Sequence, residues 1–185
     1  DLLGNFKLEG TWTSDKHPIV QVAFRQRIVG IYGIDYYLNF VLPFLSKRYG
    51  FKNYIAVGHS LVCPCIIRTE MKHYRSKTFP HLKKCAFIAG PFDGVTYLGD
   101  IPNVNYLTES GRPSVMNPHY LYLFFNRRKF NPDISVLNIY GNVLDNTNTD
   151  KFISVVSAKS IRYIVAPKAH FYQEVEVRGK DDAEH

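Results

Sequence analysis

The sequence runs to 185 residues, one domain by length and enough to bury a sizeable core. Hydrophobic residues make up 45% and charged residues 21%, ordinary for a soluble globular protein, and no apolar run approaches the roughly 18 residues of a membrane helix. The net charge is +7, but Lys and Arg are scattered. Even the cluster Arg127-Arg128-Lys129 lacks interleaved stacking aromatics, which argues against nucleic acid and leaves an anionic cell envelope as the partner that the charge would suit.

Along the chain, short β-rich runs bounded by turn signals alternate with helical patterns. Ile19–Phe24 reads as the first strand. Ile34–Tyr49 reads as a helix with Leu38, Leu42, Leu45 and Tyr49 on one face and Gly50 as its stop. Tyr54–Gly58 is a second strand, followed at once by a helix over Leu61–Tyr74 with Pro64 in its first turn, where proline is tolerated. Cys85–Ala89 is a third strand. The stretch Phe92–Asp133 is rich in Pro, Gly and Asn around one aromatic helical run, Tyr120–Phe125; it reads equally as a lid or as a plain surface excursion. Strand Val136–Tyr140, helix Ser157–Val165 and strand Glu174–Val177 complete the series. The expectation is a single α/β domain over residues 1–185, with a mostly parallel sheet flanked by helices and a candidate lid at 92–133.

The three cysteines, Cys63, Cys65 and Cys85, form no disulfide framework, and the spacing of the first two is wrong for a zinc knuckle; buried free thiols are expected. The 13 Phe and 13 Tyr are a surplus that suits an apolar ligand cleft as well as a core. No leader is readable, although a start at Asp1 without Met is compatible with a removed one, so the compartment stays open.

The sharpest local signal is Tyr54-Ile55-Ala56-Val57-Gly58-His59-Ser60-Leu61. An apolar strand runs into Gly-His-Ser and then a helix, the context of a nucleophile elbow. Such a turn projects the Ser60 hydroxyl above the sheet at a helix N-terminus, where the dipole and free N–H groups favour developing negative charge. The Leu61 N–H would be one oxyanion donor. The usual pattern also has glycine two residues after the serine, and Val62 stands there instead. His59 is expected to point back toward the fold rather than at the hydroxyl.

Five segments in order resemble a family of α/β-hydrolases known from Gram-positive bacteria as cell-surface hydrolases. They are Ala56-Val57-Gly58-His59-Ser60-Leu61, Ile88-Ala89-Gly90-Pro91-Phe92-Asp93-Gly94, Val136-Leu137-Asn138-Ile139-Tyr140-Gly141-Asn142, Asp150 through Ser157-Ala158-Lys159-Ser160, and Gly179-Lys180-Asp181-Asp182-Ala183-Glu184-His185. The resemblance implies a Ser–Asp–His triad: Ser60, an acid after the fourth strand, and His185. Asp150 is the preferred acid because its surroundings resemble the family's acid loop, and Asp145 is the alternative. His170, which precedes the last strand, is a poorer base. His17, His73, His81 and His119 share no metal spacing, so neither a metal nor a cofactor is expected.

Against that family the chain reads as truncated. The early strands and the His-Gly loop that supplies a second oxyanion donor are missing, and the chain stops just after the histidine motif. Either Asp1–Thr13 substitutes for the missing strands, or another segment does. The leading functional expectation is an esterase- or lipase-like serine hydrolase acting on a small-molecule apolar or aromatic ester. The alternative is a catalytically silent binding module on a hydrolase scaffold. A third reading is a surface protein held by its +7 charge. The natural substrate and oligomeric state are open.

Overall fold

The computed structural model describes residues 7–11, 16–24 and 30–185. Helix α1 (Ile31–Tyr49) buries Ile31, Ile34, Leu38, Val41 and Leu45, the i, i+3, i+4 spacing of an amphipathic face. It ends where Gly50 takes a φ of 72°, a left-handed cap that returns its N–H to Ser46 O. Strand β1 (Asn53–His59), helix α2 (Val62–His73) and strand β2 (His81–Ile88) follow, with α2 packed against α1. Two short strands, β3 (Val95–Thr96) and β4 (Gly99–Asp100), pair with each other, and helix α3 (Pro118–Asn126) leads into a single 3-10 turn. Strand β5 (Ser135–Asn142), the short helices α4 (Val155–Lys159) and α5 (Ile161–Val165), and strand β6 (Phe171–Arg178) complete the chain.

The main sheet has the order β1-β2-β5-β6, parallel throughout. Parallel pairing sends the loops after every strand to one edge, where ligands of open α/β sheets bind. His59 pairs with Ile88, Ile88 with Ile139, and Ile139 with Val175, so the segments after β1, β2, β5 and β6 begin side by side. One sheet face, carrying Tyr54, Ala56, Leu82, Cys85, Phe87, Val136 and Tyr172, packs into the same core as Cys63, Ile66, Ile67 and Met71 of α2 and Leu123 of α3. The opposite face shows Ile55 and Val57 at 63% and 72% exposure, and β1 is the sheet's edge among the described residues.

Ile19–Phe24 is not a strand. Ile19 is 95% exposed, and Phe24 docks singly, its ring 5.3 Å from that of Tyr37. Strand formation needs pairing as well as β propensity, and no described strand pairs with this segment. The proposed substitute Asp1–Thr13 falls largely on residues 1–6 and 12–13, outside the described residues. The helix expected over Ser157–Val165 starts two residues earlier, capped by the Ser154 side chain accepting from Ser157 N, and it divides at Ser160.

The 92–133 segment is tied into the core. Tyr120 and Leu123 of α3 are buried, and the Tyr120 hydroxyl donates to Ser160 O at 3.2 Å. The Asp93 N–H donates to Ser157 Oγ at 3.0 Å and Ser157 Oγ donates to Gly94 O at 2.7 Å. The Asp93 carboxylate braces the segment internally, accepting from Asn117 N at 2.7 Å and from Asn105 Nδ2 at 2.9 Å. All three cysteines are buried and free, and burial pushes the thiols of Cys63 and Cys65 up to about 12. They are therefore protonated at neutral pH.

Candidate active site

Ser60 sits between the end of β1 and the start of α2 with a φ of 55°, a left-handed conformation that costs a serine about 1–3 kcal/mol and persists only where its surroundings impose it. Its N–H donates to Ile88 O at 2.9 Å and its carbonyl accepts from Cys63 N at 3.0 Å, so β2 and α2 both hold the turn. Gly58 explains how the helix comes so close. A Cβ there would lie 2.9 Å from Ile66 Cδ1 and 3.5 Å from Cys63 Cα. Val62 is the first residue of α2, half-buried against the core. Among the described residues no strand lies beyond β1 to crowd it. Leu61 is the N-cap, at the helix end whose first amides have no intrahelical acceptor.

Asp150 lies in the loop after β5, its side chain 2% exposed. Oδ1 accepts from Phe152 N at 2.9 Å and Ile153 N at 2.6 Å, and Oδ2 stands 3.2 Å from His185 Nδ1. The His185 backbone N–H also donates to Asp150 O at 3.0 Å. The imidazole is thus placed by two bonds to one residue, with its side chain only 16% exposed. A carboxylate at Nδ1 selects the tautomer that leaves Nε2 as a proton acceptor. Asp145 does not reach the imidazole. It is exposed, bonded to Lys151 Nζ at 2.6 Å and to Thr147, and these partners hold its carboxyl below the usual range. His170 donates its N–H to Ile134 O ahead of β5 and β6, at the opposite end of the sheet from Ser60.

His59 corrects its expected direction. Tyr54, Ala56 and Gly58 face the helices, so the period-two alternation turns His59 to the other face. There it is exposed, with its ring centroid 4.7 Å from that of His185. Desolvation, followed by the neighbouring His185, lowers its pKa from the ordinary histidine value, and Asp150 pulls the other way. Phe152 brings a second ring to 5.4 Å from His185.

Gly141 went unremarked as a site residue in the sequence. A Cβ on it would come within 2.9 Å of Asp150 Cβ and press on the Ala183 carbonyl. A glycine inside an otherwise apolar strand is the signal that marks such a close approach. Among the described residues no group of three or more His, Cys, Asp or Glu side chains could hold a metal ion, and no helix is long and apolar enough to cross a membrane.

A parallel α/β sheet with a strained serine turn after one strand and a carboxylate–imidazole pair after two others defines the α/β-hydrolase class. The chain belongs to the family described as "Alpha/beta hydrolase of unknown function (DUF915)", whose model matches residues 4–185. Among solved structures it is similar to the lin2722 gene product of Listeria innocua, with 27% identity and a TM-score of 0.83 over 94% of this chain and 67% of that one. It also resembles in fold the "putative cell surface hydrolase" of Lactobacillus plantarum WCFS1, at 19% identity and a TM-score of 0.76, over 98% of this chain and 68% of that one. No curated protein matches the chain.

Proposed function

We propose that this α/β-hydrolase cleaves carboxylic esters through Ser60, His185 and Asp150. Ser60 Oγ attacks the ester carbonyl as His185 Nε2 takes its proton, and the Leu61 N–H receives the tetrahedral oxyanion. The imidazolium returns the proton to the departing alcohol. Water then repeats the sequence on the acyl-serine, releasing the acid and restoring Ser60. Asp150 keeps the imidazole in the productive tautomer and balances its transient charge.

The observation that carries this reading is the bond from His185 Nδ1 to the buried Asp150 carboxylate, at the sheet end that also bears the strained Ser60 turn. An apolar or aromatic ester suits the exposed Tyr97, Leu98, Ile101 and Val104 of the 92–133 segment, which we read as a cap over that end. The segment is joined to the acid loop by the Thr96 N–H bond to Phe152 O at 2.9 Å.

Turnover of p-nitrophenyl esters of increasing acyl length tests the reading. Wild-type protein should hydrolyse them, with medium chains preferred over acetate, and Ser60→Ala should remove activity by about 10⁴-fold or more. Equal hydrolysis by wild type and Ser60→Ala would sink it and favour a silent binding scaffold.

A further inference from the structure

We propose that His59 is a positioning residue for His185, an inference that rests on the ester-hydrolase reading above. The Asp150 bond fixes one nitrogen of the His185 ring and leaves rotation about the Nδ1···Oδ2 line unconstrained. A base must hold its other nitrogen in line with the serine, and misplacement by about 1 Å costs on the order of a hundredfold in rate. Two rings limit that rotation. His59 lies at 4.7 Å with its plane tilted 36° to that of His185, and Phe152 lies at 5.4 Å.

The position of His59 is set by the same turn that sets Ser60. It is the last residue of β1, and the Ser60 N–H bond to Ile88 O locks the backbone immediately after it. A side chain on that strand end, facing away from α2, has the His185 ring as its neighbour. One rigid backbone unit therefore carries both the serine and a brace for its base.

The charge of the brace matters as well as its shape. The groups acting on His59 are His185 from the C-terminal segment and Asp150 from the loop after β5; β1 itself carries no other titratable side chain except Tyr54, which bonds Glu70 on the helix face. Desolvation and His185 together keep His59 less basic than an ordinary histidine, so it is neutral at neutral pH. The imidazolium that forms on His185 then faces a neutral ring rather than a second cation. A permanent cation in its place would make His185 a weaker base.

The test compares His59→Ala, His59→Phe and His59→Lys with wild type in pH profiles of kcat and kcat/KM on a soluble aryl ester, alongside melting temperatures. His59→Ala should lower kcat by about tenfold with KM little changed, and His59→Phe should recover most of the loss by restoring a ring. His59→Lys should move the acidic limb of kcat/KM to lower pH by about one unit. Wild-type kcat in His59→Ala together with an unmoved acidic limb in His59→Lys would overturn the inference, as would a fall in kcat that His59→Phe fails to rescue. Ser60→Ala and His185→Ala in the same assay separate the two levels. If they retain turnover, the hydrolase reading fails and takes this inference with it; if they are inactive and the His59 variants behave as wild type, the inference alone fails.

Discussion

His185 and Asp150 are joined twice, imidazole Nδ1 to carboxylate Oδ2 at 3.2 Å and backbone N–H to carbonyl at 3.0 Å. The backbone bond fixes where the residue lies, and the side-chain bond fixes where one nitrogen of its ring points. Oδ1 of the same carboxylate is occupied by two loop amides, so Asp150 cannot rotate away from the imidazole without breaking its own turn.

Asp150→Asn should therefore separate stability from chemistry. The amide oxygen can still accept from Phe152 N and Ile153 N, so stability should change by no more than about 1 kcal/mol. The carboxylate charge and the correct tautomer are lost, and ester turnover should fall by about 10⁴-fold. Asp145→Asn, on an exposed side chain bonded to Lys151, should leave turnover unchanged. Paired kcat and melting measurements on both variants check this; a large activity loss in Asp145→Asn would move the acid's role.

Gly141→Ala should impair both properties at once. Its Cβ has no room between Asp150 Cβ and the Ala183 carbonyl, so the acid loop and the segment carrying His185 must shift outward. Overpacking of this kind costs about 1–3 kcal/mol, and displacement of the pair should lower turnover by about a hundredfold. Wild-type melting and turnover in Gly141→Ala would show that the loop yields freely.

Val62→Gly tests the edge position of β1. Val62 opens α2 and packs half-buried on the core, so glycine should cost about 1 kcal/mol from propensity and lost contact, a fall of about 2–4 °C in Tm. Turnover should not rise. A more stable and more active variant would mean that the valine crowds the elbow.

Asp93 should impose a pH dependence on stability. It is fully buried, and desolvation, its largest influence, raises its carboxyl to about 7 despite the bonds from Asn117 and Asn105; the nearby Asp100 adds to the rise. Because the folded value lies above the unfolded value of about 4, its contribution is fully present below pH 4 and is lost as pH rises to about 7. Urea denaturation across that range should show the decline, and Asp93→Asn should flatten it. A wild-type slope retained in Asp93→Asn would place the titration elsewhere.

The four strands of the main sheet and the helices flanking them were legible because their apolar runs are bounded by strong stops, as at Gly50 and the Gly58-His59-Ser60 turn. Ile19–Phe24 carries the same composition yet pairs with no described strand, and pairing is a tertiary property that composition does not encode. Asp150 was preferred over Asp145 on the pattern of its loop, while the reason for its geometry, the bare Cα of Gly141, only emerges once β5, the acid loop and Ala183 converge. The direction of His59 was readable from strand alternation, since Gly58 must face the helix. Its contact with His185 was not, because it joins residues far apart in the sequence.

The most direct test of the central claim is labelling by a fluorophosphonate probe, which phosphonylates only an activated serine, with the modified peptide located by mass spectrometry. The account predicts stoichiometric modification of Ser60 in wild type at neutral pH and its loss in His185→Ala. Absence of label on wild-type protein, or label on a serine other than Ser60, would contradict it.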